Sequence, residues 1–184
     1  MSSRRREVVI LCEDKQQATF ARRFLEKWGW EGTIRIRPFP AGSGEAHVRR
    51  NYPTELKNLR SNAARREARL IVIMDADNGT ADEHRRELDR ECDGNNVQRR
   101  QQHEKAAIFV PRRNVETWTA YLLGEQVDEQ QEYRKLKRQR DCAPQVRQLA
   151  EKCKDQAKIT DPAAPDSLRM ACDEFRTRVL PART

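Results

Sequence analysis

Apolar residues gather in four short bursts: Arg6-Glu-Val-Val-Ile-Leu11, Thr33-Ile-Arg-Ile-Arg37, Arg69-Leu-Ile-Val-Ile-Met74 and Ala106-Ala-Ile-Phe-Val110. The first, third and fourth have continuous apolar cores, which predict strands covered on both faces. The second alternates, as an edge or half-exposed strand does. Helical periods fill the gaps. Gln17 to Trp28 sets Phe20, Phe24 and Trp28 four residues apart. Glu45 to Arg60 carries Val48, Tyr52, Leu56 and Leu59, with Pro53 as a potential kink or break. Thr80 to Cys92 is polar, with Leu88 and Cys92 as a weak apolar edge. Alternating strands and helices predict an α/β unit with a mostly parallel four-stranded sheet flanked by helices.

The pattern changes after the fourth strand. Asn114 to Leu123 reads as a helix, Asp128 to Asp141 is densely charged, and helical stretches follow at Ala143 to Cys153 and Asp166 to Val179. Asp161-Pro-Ala-Ala-Pro165 separates the last two as a hinge-like turn. The expected organisation is an α/β unit over residues 1–124 and a helical, basic extension over 125–184.

The chain has 184 residues, 37 Lys or Arg against 29 Asp or Glu, and a formal charge of +8. That length buries enough surface to fold without a metal or disulfide. Val8 to Leu11, the longest strongly apolar run, is far shorter than the roughly twenty residues that span a bilayer. No secretory signal is evident, so a cytoplasmic location is expected. The five cysteines are odd in number and lack a Cys-x-x-Cys pair; they read as reduced, mostly buried side chains. Arginine pairs recur along the chain and suit phosphate oxygens, making nucleic acid the expected partner, although a solvated surface explains them too. Tyr133-Arg-Lys-Leu-Lys-Arg-Gln-Arg140 is the best discrete basic patch.

The chemistry concentrates in acids just past strands. Glu13 follows the first strand, and Asp75 and Asp77 follow the third. In a parallel sheet those ends share one rim, where ligands bind. Clustered carboxylates repel unless a cation shares them, and Mg²⁺ is the hard, oxygen-seeking ion that also bridges to phosphates. A loop leaving the strand lets Asp75 and Asp77 face one metal region. Glu116, in the first turn of the helix after the fourth strand, is positioned to complete that shell or help hold a second ion. Lys15, Arg49, Arg50, Arg112 and Arg113 are candidate phosphate contacts. The plainer reading makes Asp77 or Asn78 cap the Thr80 helix and Asn114 cap the next.

Leu11-Cys-Glu13-Asp and Asp75-Ala-Asp77-Asn resemble the TOPRIM domain of topoisomerases, primases and OLD-like nucleases. With Phe109-Val-Pro-Arg-Arg-Asn-Val-Glu116-Thr-Trp118, the likeness extends to small stand-alone TOPRIM proteins of the OLD and RloB neighbourhood. It implies a Mg²⁺-dependent nuclease, with Mn²⁺ as a substitute, acting on DNA or RNA, including tRNA. It also implies a role in bacterial anti-phage defence, restrained by an ABC-type ATPase partner or by self-association. The family glycine after the glutamate is Asp14 here.

Three weaker features remain. Pro40-Ala-Gly42-Ser-Gly44-Glu45 is a tight turn or a phosphate cradle, and it is not a Walker A loop. His47, His84 and His103 have no metal-ligand spacing, so zinc chemistry would need ligands not evident in the sequence. Trp28 and Trp118 fit apolar helix faces, whereas Trp30, after Gly29, is expected to be exposed or at an interface.

Overall fold

The computed structural model describes residues 5–42, 44–133, 143–154, 159 and 161–180. Strands β1 (Arg6–Leu11), β2 (Thr33–Ile36), β3 (Glu67–Ile73) and β4 (Ala106–Phe109) form one all-parallel sheet in the order β2-β1-β3-β4. The intervening helices are α1 (Lys15–Trp28), α2 (Gly44–Asn62) and α3 (Ala81–Gly94). Then come α4 (Val115–Leu122), α5 (Ala143–Cys153) and α6 (Asp166–Glu174), which runs into a π-helical segment, Phe175–Val179. The α/β class expected from the apolar bursts is therefore the observed one.

The two-residue period of the strands sorts the core into two layers. Val8, Ile10, Ile71, Ile73, Ala107 and Phe109 face α1, α4, α5, α6 and the π-helical segment. Val9, Leu11, Leu70, Val72, Ala106 and Ile108 face α2 and α3. Residues beyond 124 thus share the first core layer: Val146, Leu149, Leu168 and Phe175 lie in it with Phe20 and Trp118. Trp118 Nε1 donates to Ser167 Oγ at 2.8 Å and ties α4 to α6. Glu174 of α6 accepts the Ile108 N–H at 3.0 Å and pairs with Arg100 at 2.7 Å, covering part of the backbone edge that β4 would otherwise expose.

Several expectations need correction. Cys153 and Cys172 form a disulfide between α5 and α6, with their Cα atoms 5.1 Å apart; Cys12 and Cys92 are free and buried. Cysteine spacing along the chain carries no signal for a contact made by two helices meeting in space. The α3 cap is Thr80, which forms a reciprocal capping box with Glu83, and neither Asp77 nor Asn78 takes that role. Asn114 occupies the N-cap of α4 without a side-chain cap bond. Trp30 is half-buried and packs against the first core layer. Pro53 lies inside α2, which runs unbroken through it. Residues 134–140 of the basic run lie outside the described residues. Among the described residues no helix is long and apolar enough to cross a membrane.

Candidate functional site

The chain steps from β1 outward to β2, then back across β1 to β3, so the carboxyl ends of β1 and β3 flank a reversal of strand order. Crevices at such reversals are where open parallel sheets bind ligands. Glu13 and Asp75 stand on its two sides.

Backbone geometry brings these two acids together. Past β3, Met74 N–H donates to Phe109 O at 3.2 Å and Ala76 N–H donates to Pro111 O at 2.9 Å, both on the β4 side. Alternation turns the intervening Asp75 N–H toward β1, whose own ladder has ended at Leu11. The Glu13 side chain fills that gap: its Oε1 accepts the Asp75 N–H at 2.7 Å. Glu13 is itself held by its backbone N–H, which donates to Gln17 Oε1 at 2.9 Å. Asp14 caps α1 through the N–H groups of Gln16 and Gln17, each at 2.9 Å. Asp14 thus has a local structural task.

Burial makes both carboxyls poor acids. Glu13 is pushed up to about 7 by burial first, then by the charges of Glu45, Asp77 and Asp14, with the Asp75 N–H opposing. Asp75 is pushed up to about 8 by burial and then by Glu13, with Glu116 and Asp14 adding to it. Asp75 Oδ1 and Gln17 Nε2 are both buried without a well-formed hydrogen bond, yet the Gln17 amide lies close enough to Asp75 to lower its pKa against the larger rise from burial. Among the described residues no lysine or arginine pairs with Glu13, Asp75 or Asp77. Two electron-rich groups held together, with an orphaned oxygen and no cation, are a donor set that suits a hard divalent ion.

The remaining sequence candidates divide between the two faces. Glu116 is 4% exposed in the first turn of α4 and acts electrostatically on Asp75. Asp77 adopts a positive φ of 44°, is exposed, and lines an open cavity between α2 and α3. Lys15 is exposed at the start of α1, beside Glu13 in the chain. Arg112 is half-buried and lines a different cavity, together with Thr80, Glu129 and Ser167. Arg113, at φ 65°, donates to Gln130 O at 2.9 Å and to Asn78 Oδ1, which fastens the turn after β3. Arg49 pairs with Glu45 at 3.0 Å and Glu87 at 3.4 Å. Arg50 is exposed and folds back onto Ala46 O at 3.2 Å.

Other groups are poorly placed for chemistry. Burial and then Arg37 and Arg50 lower the pKa of His47, which stacks edge-on near Phe39. Cys12 is pushed up to about 12 by burial and its acidic neighbours, the opposite of what a nucleophile needs.

A second cluster went unnoticed in the sequence. Glu45 at the start of α2 and His84 and Glu87 on α3 bring one ligand atom each within 4.8 Å of one another, and the group could hold a metal ion. The available signal was His84-x-x-Glu87, which puts both side chains on one helix face. Histidine spacing alone carries no sign of it, because the other two ligands are glutamates.

Comparison of the chain with protein-family models, with curated proteins and with solved structures finds no match.

Proposed function

We propose that the protein is a Mg²⁺-dependent nuclease that hydrolyses phosphodiester bonds in DNA or RNA. The observation that carries this reading is the placement of Glu13 and Asp75 at the strand-order reversal, where the Asp75 backbone N–H donates to Glu13 Oε1 at 2.7 Å and Asp75 Oδ1 is buried without a well-formed hydrogen bond. Glu13 and Asp75 would hold the ion, with Asp77 and Glu116 adjoining on either face. Mn²⁺ suits the same oxygen donors. Bound there, such an ion supplies positive charge to a phosphoryl oxygen and acidifies water. Glu13 Oε1 is occupied by the Asp75 N–H, so Oε2 is its oxygen left for other work. Carboxyls near 7 and 8 give up protons easily around neutral pH, so loading the site releases protons. Lys15 and Arg112 are the cations with most freedom to reach flanking phosphates. Arg113 supports them by fixing the turn.

The net charge of +8 favours a polyanionic substrate. Restraint by an ABC-type ATPase partner or by self-association, and a place in anti-phage defence, rest on the TOPRIM resemblance alone.

The test compares wild type with Asp75→Ala on duplex DNA, total tRNA and free nucleotides, with Mg²⁺, Mn²⁺ or EDTA. Cleavage of a polynucleotide by wild type, abolished by EDTA and by the substitution, is expected. Metal binding without cleavage would make the chain a nucleic-acid adaptor. Turnover of nucleotides alone would make it a small-molecule phosphohydrolase.

A further inference from the structure

We propose that Glu45, His84 and Glu87 form a binding site for a borderline divalent transition ion of the Zn²⁺ class, distinct from the Glu13–Asp75 pair. This inference does not depend on the nuclease reading.

The donor atoms converge from two helices. His84 Nδ1 lies 3.3 Å from Glu45 Oε1 and 3.2 Å from Glu87 Oε2. None of these three buried atoms has a well-formed hydrogen bond, although Arg49 Nη1 ion-pairs with the same two carboxylate oxygens. His84 is 8% exposed, so water offers its ring little compensation. Its other nitrogen, Nε2, sits 3.2 Å from Ala76 O. A carbonyl only accepts, so Nε2 carries a proton, and Nδ1 is the ring atom that faces the two carboxylate oxygens. Arg49 reaches only the two carboxylates, so Nδ1 and the two oxygens still converge on a point that a metal ion would fill. A histidine whose far nitrogen donates to a backbone carbonyl is the usual arrangement of a metal-bound imidazole.

The support behind the ring is built for that orientation. A Cβ placed on Gly79 would fall 2.9 Å from His84 Nε2 and 3.2 Å from Ala76 O. Only glycine leaves room for the contact that sets the ring. Arg49 brings its guanidinium within 3.0 Å of Glu45 and 3.4 Å of Glu87, so it offsets one of two negative charges and leaves the cluster net negative when the ring is neutral.

Ligand chemistry selects the ion. One imidazole with two carboxylates favours Zn²⁺ or Co²⁺ over Mg²⁺, which prefers an all-oxygen shell. Three protein ligands also leave a coordination position open, as in catalytic rather than structural zinc sites. That position would face the cavity of about 570 Å³ lined by Asp77, Asn78, Arg86 and Arg90. Its arginines suit an anionic group, a phosphate oxygen foremost, as the fourth ligand.

The experiment titrates EDTA-stripped, full-length protein with Zn²⁺ by calorimetry in excess Mg²⁺, and records the visible spectrum of the Co²⁺ form. One tightly bound Zn²⁺ per chain is expected, undisplaced by Mg²⁺. His84→Gln and Glu87→Gln should each weaken it by about 100-fold and abolish the Co²⁺ band, and Gly79→Ala should weaken it by about 10-fold. Asp75→Ala should leave Zn²⁺ affinity unchanged while abolishing any Mg²⁺-dependent cleavage, so the two readings fail separately. Should His84→Gln not fold, Glu87→Gln carries the same test. Equal Zn²⁺ affinity in wild type and both ligand variants would overturn the site, as would absence of Zn²⁺ binding by folded wild type. In the latter case the cluster is a protonated imidazole between two acids.

Discussion

The two ends of the central strands treat acidic residues in opposite ways. At the amino end, Glu7 pairs with Arg66 at 3.1 Å and Arg35 at 3.4 Å, and Glu67 pairs with Arg6 at 2.8 Å and Arg69 at 2.9 Å. Arg69 is 6% exposed, and its Nε also donates to Val179 O at 2.9 Å, so the buried charge is fully engaged. At the carboxyl end Glu13 and Asp75 meet each other instead of a base. Arg112 and Arg113 stand at this rim too, but among the described residues no arginine pairs with Glu13 or Asp75. Charge at the amino end holds the fold together; at the carboxyl end burial and the neighbouring acid oppose ionisation, and a bound cation would relieve that cost.

The sharpest way to break this contrast is Asp75→Asn. It should abolish cleavage, by roughly a thousandfold or more, while thermal unfolding in EDTA moves upward because a buried, repelled carboxyl has gone. Loss of stability together with activity would mean that Asp75 belongs to the structural class instead.

The next effect is in pH. Glu13 and Asp75 have folded pKa values of about 7 and about 8, raised from 4.5 and 3.8. Between those limits the folded state binds more protons than the unfolded one, so metal-free stability falls as pH rises through the window from about 4 to about 8. The combined loss is on the order of 3 kcal/mol once partial exposure to solvent is discounted. Denaturant unfolding at a series of pH values should show that decline, and saturating Mg²⁺ should flatten it. A flat metal-free profile would contradict the electrostatic picture of the rim.

The smallest expected change comes from the amino end. Glu67→Ala removes the carboxylate from Arg6 and buried Arg69 and should cost about 2 kcal/mol, or roughly 4–8 °C in Tm. Cleavage per folded molecule should stay unchanged. Equal effects on activity and stability would erase the functional distinction between the two ends.

Much of this architecture could be read from the chain. Val8–Leu11, Leu70–Ile73 and Ala106–Phe109 are apolar at every position because both faces are covered, and unbroken apolar runs separated by helical periods lead directly to a parallel sheet. Glu13 and Asp75 could be matched because parallel strands deliver their ends to one rim whatever the distance along the chain. What escaped depends on tertiary contact. Glu45 meets His84 only because α2 and α3 lie side by side on one face of the sheet, and Cys153 meets Cys172 only because α5 and α6 both cover the other face. Thr80 is a different case. Its Thr-x-x-Glu capping signature was present in the sequence, but the acids before it drew the cap assignment toward Asp77 and Asn78.

The hydrogen bond from the Asp75 amide to Glu13 Oε1 has a spectroscopic consequence. That single proton sits where a rung of the sheet is completed by a side chain, so its resonance and its exchange with deuterium respond to whatever the glutamate is doing. An isotope-labelled sample would then let one amide announce occupancy of the crevice without substrate, turnover or an added dye.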